Sequence, residues 1–236
     1  MRRAWAVASG KVLLLPLLVV FAGCRAAPPP KPPFRPPSPA SVNLVEPGGD
    51  SSDPHAAALR RLTTEPWGWR NDKDDVLHVP LPDWQNWRRV RYIGVPSFVG
   101  FRYGDAHHAV IAVWVRPAES GKATTDECLA GFEEWGRPTA HSFSVEISPG
   151  TVSRAPWTDR EVLIKSVDAE INTLFARKTY QAAYASYVMW PGTCTIFGVA
   201  VPVRGSADLA AAVRDRYIKE GFSRIERRSG QAPSPQ

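Results

Sequence analysis

Residues 28–39 limit most strongly what this chain can fold into, because eight of these twelve positions are proline. Proline fixes φ and has no N–H group to donate to a helix or a sheet. The segment therefore favours an extended polyproline II conformation, which spans roughly 37 Å at about 3.1 Å per residue. Because residues 40–55 remain largely polar, the sequence predicts a disordered tether over 24–55, one globular domain over 56–226 and a disordered tail over 227–236. Proline-rich segments also bind partner grooves, but we favour a plain spacer.

The N-terminus has the pattern of an export signal. Arg2, Arg3 and Lys11 supply positive charge ahead of 12–22, an apolar run of eleven residues that is interrupted only by Pro16. A membrane-spanning helix needs about 20 apolar residues, so this run is too short to remain in a membrane as one. It fits the apolar core of a cleaved signal peptide.

The apolar run ends at residues 21–24 (FAGC), which resemble the lipobox of bacterial lipoproteins. In that family small residues precede a cysteine that is lipidated and becomes the new N-terminus, and Leu is usual where this chain has Phe21. The resemblance implies a signal peptide over 1–23 and two or three acyl chains, palmitate among them, that hold Cys24 at a membrane. Arg25 follows, and in enteric bacteria a residue other than Asp there implies the outer membrane, facing the periplasm. The other interpretation is an ordinary signal peptide in which Cys24 has no role.

Charge gives no support for a nucleic-acid partner. Residues 1–23 carry three basic residues and no acidic one, so their removal reduces the formal net charge from +6 to +3. Since the rest of the chain has no long basic run, we expect no nucleic-acid binding.

We also expect no metal and no cofactor. His107 and His108 are adjacent, and on a strand adjacent side chains point to opposite faces. The other histidines, His55, His78 and His141, are scattered, whereas zinc sites need three or four convergent ligands. No phosphate-binding or dinucleotide-binding loop occurs in the sequence.

Cys128 and Cys194 remain when lipidation uses Cys24. An even number of cysteines in an exported and therefore oxidising compartment predicts a disulfide between them. Two separate buried thiols are the alternative, because cysteine packs like a small apolar residue. A nucleophilic cysteine beside a histidine is a further alternative, although no family signature surrounds either residue.

Short apolar runs with strand patterning predict strands over 76–81, 97–103, 109–115, 143–147, 180–189 and 195–203. The last two are separated by a turn at Pro191-Gly192. Residues 162–177 fit both helical and strand spacing, and we favour strand because they lie among strands.

Two helices are marked by their ends. Thr124 with Glu127 three residues later forms a capping box, and Gly136 fits the end of that helix. The second helix begins with Ser206 as N-cap and ends near Gly221. Leu209, Val213 and Tyr217 share one face of it.

Strands outnumber helices and lie next to one another along the chain, which predicts an α+β fold with a mostly antiparallel sheet packed by two or three helices. The order of elements also resembles the PsbP-like α/β/α sandwich. The matching stretches are LPDW at 81–84, VGFRYGD at 99–105, the strand that ends at Val115 and the helix at 206–220. The resemblance covers 76–222 and implies a non-enzymatic adaptor or accessory role, although a fold alone does not establish a function.

A group of aromatic and basic residues offers a possible ligand face: Trp67, Trp69, Trp84, Trp87, Arg88 and Arg91. Exposed tryptophans stack on sugars, whereas tryptophan in general is more often a core or rim residue. We therefore expect a membrane-anchored, non-enzymatic module that binds a protein partner of the envelope. Binding of a glycan or small ligand through the tryptophan-rich face is the alternative, and an envelope hydrolase is the third.

Replacing the proposed lipidation residue tests the lipobox directly. In Cys24→Ser, incorporation of labelled palmitate into the protein should be abolished, because serine offers no thiol for attachment of the lipid. The measurement is metabolic labelling followed by immunoprecipitation and membrane fractionation. Labelling that persists in Cys24→Ser would contradict lipidation at this residue.

Overall fold

The computed structural model describes residues 53–72, 75–90, 98–135, 143–157, 160–173 and 176–228. The predicted signal peptide, Cys24, most of the predicted tether and nearly all of the predicted tail lie outside the described residues. So do Gly136 and His141. None of the described helices is long and apolar enough to cross a membrane.

The elements follow one another along the chain as α1 (Pro54–Thr64), β1 (Trp67–Trp69), β2 (Leu77–His78), β3 (Pro80–Pro82), a 3-10 turn (Trp84–Asn86), β4 (Trp87–Val90), β5 (Phe98–Tyr103), β6 (Ala109–Pro117), α2 (Thr125–Trp135), β7 (Phe143–Ile147), β8 (Thr151–Trp157), β9 (Arg160–Thr173), β10 (Ala176–Trp190), β11 (Thr193–Pro202), α3 (Ala207–Arg216), a π-helical turn (Tyr217–Gly221), a 3-10 turn (Phe222–Arg224) and β12 (Glu226–Arg227).

Eight strands form one antiparallel sheet in the order β4-β5-β6-β11-β10-β9, with β7 and β8 both paired to the outer side of β9. Two small ladders, β1 with β3 and β2 with β12, lie outside it. The predicted α+β class with a mostly antiparallel sheet is therefore confirmed. Residues 162–177 lie mainly in β9 and β10, so the preference for strand over helix is confirmed there too.

Both faces of the sheet are covered, because side chains alternate between them along each strand. On the first face α1 and α3 pack on the sheet in a cluster that includes Leu59, Leu62, Val113, Phe197, Val199, Val213 and Tyr217. On the second face α2 packs in a cluster that includes Ala112, Trp114, Cys128, Phe132, Cys194 and Ile196. This gives three layers, α/β/α, and explains why all of residues 109–115 in β6 are buried.

Helix α1 was not predicted, and it moves the start of the domain toward the N-terminus. It begins at Pro54, within the predicted tether of 24–55, and the Asp53 carboxylate accepts a hydrogen bond from the His55 N–H at 3.0 Å. Proline at the first helical position after an aspartate cap is a favoured helix start. At the other end, Arg227 pairs in β12, so the first residue of the predicted tail belongs to the fold.

The capping box at the start of α2 is half formed. The Thr124 hydroxyl accepts from the Glu127 N–H at 3.2 Å, as predicted. The Glu127 carboxylate instead accepts from the Ser120 hydroxyl at 2.8 Å, which fixes the preceding loop.

Helix α3 follows Ser206, whose side chain makes no capping hydrogen bond. The regular helix ends at Arg216 rather than at Gly221, and a π-helical turn continues to that glycine. A Cβ atom at Gly221 would lie 2.6 Å from Cδ1 of Tyr217 and 2.8 Å from Cη2 of Trp67. Glycine is therefore required here so that the two aromatic rings can pack closely against the backbone.

Cys128 of α2 and Cys194 of β11 are joined by a disulfide and are both buried. The bond fixes α2 on the second face of the sheet.

Removing the disulfide should destabilise the fold. For Cys128→Ala/Cys194→Ala we expect the free energy of unfolding to fall by about 4 kcal/mol, because the bond closes a long loop in the unfolded chain. The two residues are 66 positions apart. Urea unfolding with and without reductant measures this, and reductant should have no effect on the double variant. Rapid alkylation of both thiols in the native, unreduced protein would contradict the bond.

Candidate functional site

The tryptophans of the predicted ligand face do not all reach the surface. Trp87 is 0% exposed, its Nε1 donates to the Pro82 carbonyl at 2.7 Å, and its ring meets that of Tyr103 edge-on. It is a core residue with a satisfied N–H group and cannot form part of an exposed ligand face.

Trp67 is half-buried and is engaged on both its ring and its N–H group. Nε1 donates to the Glu220 carboxylate at 3.1 Å, and the Arg216 guanidinium lies 4.8 Å from the ring centre. Tyr217 meets the ring edge-on. These contacts hold β1 against α3 and the π-helical turn, so Trp67 acts in packing.

Trp69 and Trp84 are the exposed members, at 45% and 42%. A Cβ atom on Gly68 would lie 2.3 Å from Cδ1 of Trp84, which shows that the Trp84 ring lies directly against the Gly68 backbone. Because neighbouring side chains on a strand point to opposite faces, Trp84 and Trp69 lie on opposite sides of β1. The structure therefore does not bring the four tryptophans together in one surface.

Of the two arginines of the predicted face, Arg88 forms an exposed ion pair with Asp105 at 2.6 Å. An exposed pair of this kind contributes little to stability. Arg91 lies outside the described residues.

The cysteine-nucleophile hypothesis is not supported, since the Cys128 and Cys194 sulfurs are bonded to each other. Within the described part of the chain, no group of three or more histidine, cysteine, aspartate or glutamate side chains is arranged to hold a metal ion.

The structure forms a histidine pair that the sequence did not predict. Nδ1 of His55, on α1, lies 2.9 Å from Nδ1 of His108 at the start of β6, and the two rings are stacked. Nε2 of His55 lies 2.8 Å from the carbonyl oxygen of Pro202 at the end of β11. The pair therefore fixes the first turn of α1 to one end of the central strands. Histidines 53 positions apart give no local sequence signal of such a contact.

The hydrogen bonds define the tautomers of the pair. A carbonyl oxygen can only accept, so Nε2 of His55 carries the hydrogen and its Nδ1 accepts from Nδ1–H of His108. Burial lowers the pKa of His55 below its usual value, although Asp53 favours protonation. Burial also lowers the pKa of His108, because a positive charge there would be repelled by a protonated His55 and by Arg204. The hydrogen bonds and the lowered pKa values together indicate that both imidazole rings are neutral.

A cationic cluster of Arg102, Lys178 and Arg204 lies at the same end of the sheet and acts on His107. Nη1 of Arg102 donates to Nε2 of His107 at 2.8 Å, so His107 is neutral with its hydrogen on Nδ1. Nη2 of Arg204 donates to the Ala106 carbonyl at 2.8 Å. Burial lowers the pKa of His107, and the charges of Arg102, Arg204 and Lys178 lower it further against the opposing effect of Asp105.

Arg204 of the cationic cluster and His107 beside it have unusual backbone conformations. Among the described residues other than glycine, only Asp83, His107 and Arg204 have positive φ, at 51°, 53° and 41°. Such conformations cost free energy and are found preferentially at functional positions. This concentration of strain and charge makes the cluster the candidate site.

Comparisons with known proteins give similarity in fold but no family. No protein-family model and no curated protein matches the chain. Among solved structures, CyanoP, the cyanobacterial PsbP protein of Synechocystis, is 12% identical with a TM-score of 0.49, over 69% of this chain and 92% of that one. LpqN of Mycobacterium tuberculosis, described as involved in cell envelope biogenesis, is 14% identical with a TM-score of 0.35, over 64% and 88%. A protein of Bacteroides thetaiotaomicron is 12% identical with a TM-score of 0.37, over 65% and 45%. At these values the similarity carries no inference about activity or partners.

Acidification should weaken the fold through the histidine pair. The folded-state pKa of His55 and of His108 is lowered, while the unfolded chain has the usual value of about 6.5. The unfolded state therefore binds more protons below that pH, and the stabilisation present above it is lost as the pH falls. We expect the free energy of unfolding to decrease between about pH 7 and pH 5. Urea unfolding followed by tryptophan fluorescence across this range measures it.

The double variant His55→Gln/His108→Gln should show a flatter pH dependence than the unmodified protein. His78→Gln, which changes a histidine outside the pair, is the matched control and should keep the original slope. An unchanged slope in the double variant would contradict the assignment of this pH dependence to the pair.

Proposed function

We propose that this protein is a bacterial envelope lipoprotein, anchored through Cys24, whose folded domain is a non-enzymatic module that binds a protein partner. The observation that carries the proposal is that the three cysteines occur in two different settings. Cys24 ends an export-type signal, while Cys128 and Cys194 form a buried disulfide in the fold. Disulfides persist in exported, oxidising compartments, which agrees with a domain that leaves the cytoplasm.

The way in which reactive side chains are used supports an interaction module. The Ser186 hydroxyl donates to the Thr125 carbonyl at 2.8 Å, which ties β10 to α2. The Tyr187 hydroxyl donates to the Phe222 carbonyl at 2.8 Å on the first face. His55 is likewise engaged with His108 and Pro202. These three side chains are of types that act in catalysis in other proteins, but here their hydrogen bonds hold the layers of the domain together.

The finer location that we propose is the outer membrane, facing the periplasm. It rests on Arg25, which follows Cys24 where an inner-membrane lipoprotein of enteric bacteria would have Asp. Separation of the two membranes by density, followed by detection of the lipidated protein, tests this location.

The partner can be found by mild crosslinking in intact cells, affinity purification and mass spectrometry. Because the anchor sets where the module meets its partner, we expect one recurrent envelope protein in the crosslinked fraction. The yield of this crosslink should fall at least about tenfold in Cys24→Ser, since release from the membrane lowers the effective concentration of the two proteins.

Two controls make this experiment decisive. The Cys24→Ser chain must be present at the same level and must keep its disulfide, so that loss of the crosslink reports position and not unfolding. Crosslinks to many unrelated proteins, or an equal yield with Cys24→Ser, would contradict a position-dependent adaptor.

A further inference from the structure

The cationic cluster draws its charges from three separate segments of the chain. Arg102 lies in β5, Lys178 in β10 and Arg204 in the loop after β11. Lys178 and Arg204 are exposed, whereas Arg102 is half-buried and its Nε atom is buried without a hydrogen-bond partner. The Val203 N–H donates to the Thr179 carbonyl at 2.9 Å, which places Lys178 next to the loop of Arg204. Arg102 and Arg204 both reach the loop at residues 106–107.

Among the described residues, no acidic side chain forms an ion pair with Arg102, Lys178 or Arg204. Asp105, two residues before His107, is paired with Arg88 at 2.6 Å. Asp53, whose carboxylate accepts the His55 N–H, also lies at this end, so within the described part of the chain three cations face one acid that has no cationic side chain bonded to it. In contrast, Arg177 beside Lys178 is paired with Glu170, and Arg214 on α3 is paired with Asp215. Uncompensated charge at one place is the electrostatic requirement for binding an anion.

The cluster lies at the end of the domain where the described chain begins. The described chain begins at Asp53, and His55 is bonded to His108 and to Pro202 at the same end of the sheet. The segment that leads back to Cys24 therefore leaves the domain beside the cluster. Because the tether joins the domain at this end, the cluster can meet the membrane that holds Cys24 without the tether having to pass around the domain.

We propose that the cluster of Arg102, Lys178 and Arg204 docks the domain on anionic lipid headgroups of the membrane that holds its anchor. This inference rests on the proposed lipidation of Cys24 for its orientation, but the charge contact itself does not need the lipid. Phosphate oxygens of the headgroups accept hydrogen bonds from the guanidinium and ammonium groups. The docked domain lies with the end of the sheet at which β10 begins and β11 ends against the membrane.

Vesicle co-sedimentation tests the contact without the anchor. The processed chain, residues 24–236 with Cys24→Ser, keeps every described element, because these lie between residues 53 and 228. At low salt it should bind vesicles of phosphatidylglycerol and phosphatidylcholine in equal parts, and it should not bind vesicles of phosphatidylcholine alone. Each cation near an anionic surface contributes about fivefold in affinity, so Lys178→Gln/Arg204→Gln should bind about 25-fold more weakly. Added salt should abolish binding.

Lys219→Gln is the matched control. Lys219 is exposed on the π-helical turn, near Phe222, which is bonded to Tyr187. Tyr180 lies at the cluster end of β10, two residues from Lys178. Tyr187 lies seven residues further along this strand, a distance of roughly 23 Å at about 3.3 Å per residue. Loss of this charge should leave vesicle binding unchanged, and near-ultraviolet circular dichroism checks that each variant is folded.

Equal binding to both kinds of vesicle, no binding at low salt, or equal affinity of the double variant and the unmodified chain would each overturn the proposal. Absence of vesicle binding together with loss of the envelope crosslink in Lys178→Gln/Arg204→Gln would instead assign the cluster to an acidic protein surface. Palmitate labelling of the unmodified chain separates the two proposals. Palmitate labelling without vesicle binding would contradict only the proposed docking of the cluster. Vesicle binding without palmitate labelling would contradict only the proposed anchor at Cys24.

Discussion

The arrangement of the domain depends on the antiparallel pairing of β6, β11, β10 and β9, whose side chains are covered on both faces. In β11 every residue from 194 to 202 is buried. Odd-numbered positions such as Phe197 meet α1 and α3, while even-numbered positions such as Ile196 meet α2. A shift of one residue in register would exchange these two sets and place each against the wrong helix. The pairing of the strands therefore decides where all three helices lie.

Specific polar contacts then fix the helices on these faces. Arg216 of α3 donates to the carbonyl oxygens of Leu62 and Glu65 at 2.6 and 2.8 Å, which satisfies the C-terminal end of α1. A cation at that end also interacts favourably with the helix dipole. On the same face Asp83 accepts from Tyr103 and from Arg61, and burial beside Asp83 raises the pKa of the Tyr103 hydroxyl. The hydroxyl thus stays protonated and remains a donor.

Much of this fold could be predicted from the sequence, because strand patterning is local. The apolar runs that became β6 and β11 and the cap of α2 are readable within a few residues. The disulfide was predictable for a different reason, since the expected export and the expected lipidation of Cys24 left only Cys128 and Cys194 to pair. Helix α1 was missed although Asp53-Pro54 is a helix start, because its short apolar face follows a long polar and proline-rich stretch.

The candidate site could not be predicted in the same way, because it is made by tertiary contacts. Arg102 and Arg204 come within reach of His107 only after β5, β6 and β11 have paired. The tryptophans show the opposite effect. They are close in sequence, yet the alternation of β1 and the burial of Trp87 separate them in space. Proximity in sequence was therefore a poor guide to a shared surface.

A tether and a weak charged surface reinforce each other. Cys24 and Asp53 are 29 residues apart, which allows a reach of up to roughly 100 Å at about 3.5 Å per residue. Such a length does not force the domain onto the membrane, so lipidation alone would leave its orientation undetermined. It does, however, keep the domain at a high effective concentration near the lipid surface. If the cluster docks as proposed, a weak charge contact is enough to favour one orientation under that condition, and this would leave the opposite end of the sheet, with the turn after α3, facing away from the membrane.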